Sequence, residues 1–224
     1  TTGTRNTAVG TYALDANTTT SYNTAVGYLS LSANTSGISN VAVGDTALSL
    51  STSGDNCTAL GQASLAANTS GDANTAVGRA ALYANTTAAN NTAVGYLALT
   101  ANTTGADNTA VGIQAGNTNV AGRRNVFIGK SAGFTSSATG DNGYNTFVGQ
   151  NAGYSVTTGH SNTFIGSASD ATGYGAGHLV TTGTKNTIVG GYNGNQGSLD
   201  IRTASNHIVL SDGDGNVRFY INAS

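Results

Sequence analysis

The chain has 224 residues, 32 of them Gly, with no Pro, Met or Trp, and its acidic residues are all Asp. Eight Lys and Arg against ten Asp leave a formal net charge of −2, and only Arg123 and Arg124 are adjacent, which excludes a nucleic-acid footprint and a polybasic membrane patch. No apolar run approaches the ~18 residues that a spanning helix needs, and no charged-then-apolar leader opens the chain, so no membrane insertion is expected. Without a starting Met the chain reads as a processed or excised piece of a longer protein.

From the N-terminus a glycine recurs every 17 residues, at Gly10, Gly27, Gly44, Gly61, Gly78, Gly95, Gly112 and Gly129. Around it stands Asn-Thr-Ala-Val-Gly, unaltered at 6–10, 23–27, 74–78, 91–95 and 108–112. A period this short marks a solenoid of stacked coils. The low charge does not signal disorder, because the apolar residues keep fixed phases of the repeat. Thr-Ala-Val-Gly, followed by a segment such as Tyr28-Leu29-Ser30-Leu31 and a polar turn at 33–37, predicts two brief strands per coil. Each would pair with its counterpart one coil on, ~4.8 Å away.

Four residues before each marker glycine stand Asn6, Asn23, Asn40, Cys57, Asn74, Asn91 and Asn108, then Asn125, Asn145, Asn162 and Asn186. Stacking aligns them into an amide ladder. The single Cys57 interrupts it and reads as a buried or turn-facing thiol; it has no internal disulfide partner and no adjacent His and acid to make it a nucleophile.

Two phases covary. Ala8, Ala25, Ala42, Ala59, Ala76 and Ala93, two before the marker, accompany Leu14, Leu31, Leu48, Leu65, Leu82 and Leu99, four after it. Later the sizes invert: Phe127 goes with Gly133, Phe147 with Gly153 and Phe164 with Asp170. A filled interior requires such compensation, so both phases are expected to point inward. Strand alternation then turns Val9, Val26, Val43, Leu60, Val77, Val94, Val111, Ile128, Val148, Ile165 and Val189 outward. A soluble protein rarely leaves such a column bare. The expectation is a homotrimer in which parallel copies cover this column coil for coil; the alternative is a monomeric roll whose wider interior encloses it.

After Gly129 the markers continue at Gly149, Gly166 and Gly190, so there are eleven coils, with insertions confined to the C-terminal third. Irregularity is where a repeat protein places recognition. Segments 133–145 and 167–185 break the period, and they and the coil between them bring Phe134, Tyr144, Tyr154, His160, Tyr174, His178 and Lys185, which are the candidate receptor-binding residues. Aromatic and polar side chains on loops suit stacking on sugar rings and bonding to hydroxyls. Beyond residue 195 the repeat is abandoned. Residues 207–221 read as two strands joined by an Asp-Gly-rich turn, and the organisation expected is a repeat shaft over 1–195 and a hairpin cap over 196–224.

The coil unit Asn-x-Ala-Val-Gly resembles the head repeats of trimeric autotransporter adhesins, and more nearly the fibre shafts of tailed bacteriophages, over about residues 1–195. That resemblance implies a left-handed parallel β-roll (an all-β β-solenoid) of about eleven mostly 17-residue coils, with three chains side by side. The C-terminal piece resembles the segment preceding the self-cleaving intramolecular chaperone of phage tail fibres and endosialidases, which implies that Ser224 marks a processing end. The function implied is a structural fibre and adhesin, a tail-fibre segment on a virion that serves as a rigid spacer and recognises a host cell-surface glycan or receptor. A bacterial extracellular or cell-surface adhesin is the alternative.

Other chemistries are weaker. Asp212-Gly-Asp214-Gly-Asn216 begins like a calcium loop, but Val217 stands where its glycine belongs and the bidentate Glu is missing, so a hairpin turn is expected and no metal. His160, His178 and His207 lack metal-ligand spacing. No triad, paired carboxylates or phosphate loop is visible, so neither an enzyme nor a cofactor is expected. Thr18, Thr35, Thr52, Thr69, Thr86 and Thr103, beside Asn17, Asn34, Asn68, Asn85 and Asn102, form turn columns that offer one further alternative, an ice-binding solenoid.

Overall fold

The computed structural model describes residues 2–136, 143–167 and 173–222. Among these there is no helix, and the repeat is a parallel β-solenoid. The chain divides into two compact units, Thr1–Asn108 and Thr109–Ser224.

In the first unit six strands of three residues stack in register: β1 (Thr7–Val9), β2 (Thr24–Val26), β3 (Val41–Val43), β4 (Thr58–Leu60), β5 (Thr75–Val77) and β6 (Thr92–Val94). Thr pairs with Thr or Val, Ala with Ala, and Val with Val or Leu along the stack. In the second unit β7 (Thr109–Val111), β8 (Val126–Ile128), β9 (Thr146–Val148), β10 (Thr163–Ile165) and β11 (Thr187–Val189) do the same. There follow β12 (Asn195–Gln196) antiparallel to β13 (Leu199–Asp200), then β14 (Ile208–Ser211) and β15 (Val217–Ile221).

β14 pairs parallel with β11, placing Ile208 beside Thr187, Val209 beside Ile188 and Leu210 beside Val189. The strand phase thus runs beyond residue 195, where the sequence reading ends it. His207 takes the ladder Asn's place and Ser211 the marker glycine's. β15 then folds back antiparallel on β14. Serine is admissible there because no parallel strand follows. Elsewhere the phase must be Gly: Gly44 has φ +136°, and a Cβ on it would lie 2.5 Å from the carbonyl oxygen of Gly61 in the next coil.

Each coil has one strand, where two were expected. Leu29 and Leu31 take φ of 53° and 49°, and the same phases of the following coils repeat this left-handed geometry. Their N–H groups still reach across coils, from Leu29 to Thr11 O at 3.0 Å and from Leu31 to Ala47 O at 2.9 Å. This wall is therefore hydrogen-bonded to its neighbours without being extended. Left-handed geometry costs an apolar residue about 1–2 kcal/mol, while burying the whole of Leu31 returns about 2–3 kcal/mol.

From the second coil on the core is as the covariation requires, while Ala8 of the first strand, expected to point inward, is exposed. Ala25, Ala42, Ala59, Ala76 and Ala93 are fully buried opposite Leu31, Leu48, Leu65, Leu82 and Leu99, and the Phe127, Phe147 and Phe164 rings replace them in the second unit. A Cβ on Gly133 would meet the Phe127 ring at 2.5 Å, and one on Gly153 the Phe147 ring at 2.5 Å. The pairing of Phe164 is corrected: Asp170 lies outside the described residues, and the residue against that ring is Gly177, whose Cβ would lie 2.3 Å away. The insertion after Gly166 displaces the phase, and the run Ala176-Gly177-His178 restores it, matching Ala152-Gly153-Tyr154.

The amide ladder forms mainly by joining side chain to backbone, with side-chain rungs besides from Asn108 Nδ2 to Asn91 Oδ1 at 3.1 Å and from Asn162 Nδ2 to Asn145 Oδ1 at 3.3 Å. Each Asn Oδ1 accepts the N–H of the ladder residue one coil on, as from Asn40 to Asn23 at 3.0 Å and from Asn108 to Asn91 at 3.0 Å. Its Nδ2 donates to a turn carbonyl, as Asn91 does to Gly105 O at 2.9 Å. Cys57, buried, has a thiol in place of the amide and offers it to Gly71 O at 3.2 Å and Asp55 O at 3.5 Å. Burial pushes that thiol up to about 11.

Candidate functional surfaces

The outward column is where strand alternation puts it. In the first unit Val9 and Leu60 are exposed, by 57% and 46%, and Val26, Val43, Val77 and Val94 are half-buried. In the second, Val111, Ile128, Ile165 and Val189 are exposed and Val148 is half-buried. The wider interior that would enclose this column in a single chain is not the arrangement found. Leu210 of β14, exposed, adds a member that the sequence reading missed. The out-in-out run Ile208-Val209-Leu210 was the available signal. Beside it on the same face runs the column of Thr24, Thr58, Thr75 and Thr92, with an exposed Val41 in place of Thr.

The seven candidate receptor residues separate into two groups. Phe134, Tyr154 and His178 hold one phase of successive coils and stack: Phe134 on Tyr154 at 5.0 Å and 3°, Tyr154 on His178 at 4.9 Å and 11°. Tyr174 closes the pile on His178 at 4.3 Å and 24°. All four are half-buried. The faces that would stack on sugar rings are thus taken by one another over most of the pile. His178 Nδ1 is buried with no hydrogen-bond partner among the described residues, and burial lowers its pKa below the ordinary 6.5.

Tyr144 and Lys185 occupy another phase, just before the ladder Asn, and His160 stands one residue earlier, before Ser161. Tyr144 lies under the Arg124 guanidinium, 5.4 Å from ring centre to Cζ. His160 Nδ1 is 3.2 Å from Ser161 Oγ, and the Lys185 N–H donates to His160 O at 3.0 Å. Arg5 over Tyr22 and Arg79 over Tyr96, at 5.0 and 5.6 Å, repeat the Arg–Tyr rung in the first unit. Each joins two coils and contributes about 0.5–1 kcal/mol at an exposed site. An Arg and a Tyr 17 residues apart, or 20 across the insertion, announce each rung in the sequence.

The columns offered as an ordered hydroxyl face are engaged within the chain. Thr35, Thr52, Thr69 and Thr86 each donate the hydroxyl to the carbonyl of the threonine one coil on, at 3.1 to 3.2 Å. Asn34, Asn68, Asn85 and Asn102 are fully buried, where they form a second ladder inside the coil: Asn85 Nδ2 donates to Asn68 Oδ1 at 2.8 Å, and Asn102 Nδ2 to Asn85 Oδ1 at 3.0 Å. Sequence placed this column in a solvent-facing turn because Asn usually sits there; here the turn folds its amide inward to satisfy carbonyls the coil would otherwise bury unpaired.

The 212–216 turn is organised by Asp212. Its carboxylate accepts the N–H of Asp214 at 3.1 Å and of Asn216 at 2.9 Å, and pairs with the Arg218 guanidinium. The Asp212 oxygens, the first of those that resemble the start of a calcium loop, therefore serve the hairpin. Ser224 lies outside the described residues.

No protein-family model, curated protein or solved structure matches the chain.

Proposed function

We propose that this chain is a structural fibre segment that assembles as a homotrimer and serves as a rigid spacer with a surface-recognition region in its C-terminal third. The setting that best suits it is a phage tail fibre, with an extracellular adhesin fibre as the alternative. The observation that carries this reading is the outward apolar column. In each unit every strand of the parallel stack presents a branched side chain at one phase, at the ~4.8 Å interval of the stack, on a face where these side chains are exposed or half-buried. A repeat interface suits a repeat partner, because a second and third copy bring the same residue at the same interval. Three copies also triple any weak surface contact, so that modest single-site affinity becomes useful attachment.

The test is the mass in solution by light scattering, with Val77→Asp and Val94→Asp made in parallel. Both positions are half-exposed, so the chain keeps its own fold and the melting curve of the variants monitors that. A threefold mass that falls to 22.1 kDa in the variants is expected. A wild-type chain that is already a monomer overturns the assembly.

A further inference from the structure

The two antiparallel pairs at the end of the chain enclose a cleft untouched by any candidate residue from the sequence. β12 and β13 turn over Gly197 and Ser198, while β14 and β15 turn over 212–216. Gln196 Nε2 donates to Asp214 O at 2.7 Å and ties the two tips together. Tyr192, fully buried, fixes the first tip from within the coil by donating its hydroxyl to Leu199 O at 2.8 Å. The Asp212 carboxylate fixes the second. Between them lies a space of about 490 Å³ lined by Gln196, Ser198, Leu199, Asn216, Val217 and Tyr220, with Gly197 and Gly215 at the turns.

We propose that this cleft binds a neutral saccharide of one or two rings. Its volume falls within the ~300–1,000 Å³ of small-molecule sites. Leu199, Val217 and the Tyr220 ring supply an apolar wall for the C–H face of a pyranose. Tyr220 stacks on His207 at 5.5 Å and 18° and donates to or accepts from its Nδ1 at 2.8 Å, which holds the ring in place; its other face meets no aromatic ring among the described residues. The polar groups complement hydroxyls. Asn216 Nδ2 is committed to the Asp212 carboxylate at 3.2 to 3.3 Å, an orientation that leaves Oδ1 as an acceptor, and Ser198 Oγ bonds to nothing among the described residues. No lining residue is charged, and the nearby Asp212 and Arg218 neutralise each other. A carboxylated sugar or a phosphate would meet no cation in the lining. Fixed walls on two tied turns lower the ordering cost of binding.

This inference rests on the proposed recognition role and moves its glycan contact from the aromatic pile, whose faces are largely occupied, to the terminal cleft. Methyl NMR of the full chain at Leu199 and Val217 tests it, with lactose, cellobiose, maltose and chitobiose as probes to about 10 mM and glucuronic acid as the charged comparison. A saturable shift at both methyl groups with at least one neutral disaccharide is expected. Ser198→Phe, which fills the mouth from an exposed turn, weakens it about tenfold or more, and Tyr154→Ala leaves it unchanged. Silence with all four disaccharides, a response that survives Ser198→Phe, shifts only around the Phe134–Tyr154–His178 pile, or binding of glucuronic acid alone overturns the assignment. The cleft lies within one chain. A monomer that binds therefore sinks the trimer and keeps the cleft, whereas a trimer with silent methyl groups sinks the cleft alone.

Discussion

At the residue scale the interior is held by amides, and its defects are named by their exceptions. Cys57 and Ser51 stand in the outer and inner ladders where neighbouring coils have Asn; Ser51 Oγ is buried without a partner among the described residues, since serine is too short for the bond that Asn34 makes to Gly37 O and Asn68 to Gly71 O, each at 3.0 Å. Cys57→Asn and Ser51→Asn should each raise stability by about 1 kcal/mol, read from urea unfolding. Unchanged or lower midpoints would mean the slots have closed around the smaller groups. His178 gives a pH signature. Its folded pKa is depressed below 6.5, so the neutral ring favours the fold; the contribution is present above the unfolded value and is lost as pH falls from there through the lower folded value, because the unfolded chain takes the proton more readily. Melting temperature should drop as pH falls below about 6.5, and His178→Phe, which keeps the ring in the pile, should flatten that drop. An equally steep profile in the variant would assign the dependence elsewhere.

At the element scale the coil is one strand and one left-handed wall whose side chains fill a common space. Phe147 opposite Gly153 and Ala76 opposite Leu82 are two solutions of the same volume. Gly153 has φ +60°, close to the +51° that Leu82 adopts, so the backbone accepts leucine there. Gly153→Leu alone should destabilise by about 2–4 kcal/mol through collision with the Phe147 ring, and Phe147→Ala alone by about 3–5 kcal/mol. Together they should cost much less than the sum. Additive losses in thermal melts would refute the volume exchange. Element phase was legible from covariation in the sequence, but the left-handed wall was not: Tyr28-Leu29-Ser30-Leu31 has the alternation of a strand, and only the backbone of adjacent coils, which must bond to it, selects the alternative geometry.

At the scale of the whole molecule each coil answers mainly to its neighbours. Such a stack transmits a defect over one interface at a time. Asn40→Ala removes the acceptor for the Cys57 N–H at 2.8 Å and the donor to Gly54 O at 2.7 Å, so hydrogen exchange should accelerate at Cys57 and its coil while the amides of Thr187–Val189 keep their protection. Acceleration of both regions together would show a single cooperative unit instead. The same neighbour logic explains β14, whose far edge is paired by β15 folding back antiparallel on it.

The sequence by itself determined the period, the solenoid, the inward and outward phases and the ladder of Asn, because a repeat of 17 writes each contact many times and every deviation marks its partner. Tertiary structure alone decided which amides turn inward, that Gly177 faces Phe164, that β14 rejoins the stack, and that two terminal turns enclose a cleft. Those features depend on where an insertion lets the chain return and on which buried carbonyls still need a donor. Neither is a property of a residue's own neighbourhood in sequence; both are settled by the coil stacked against it.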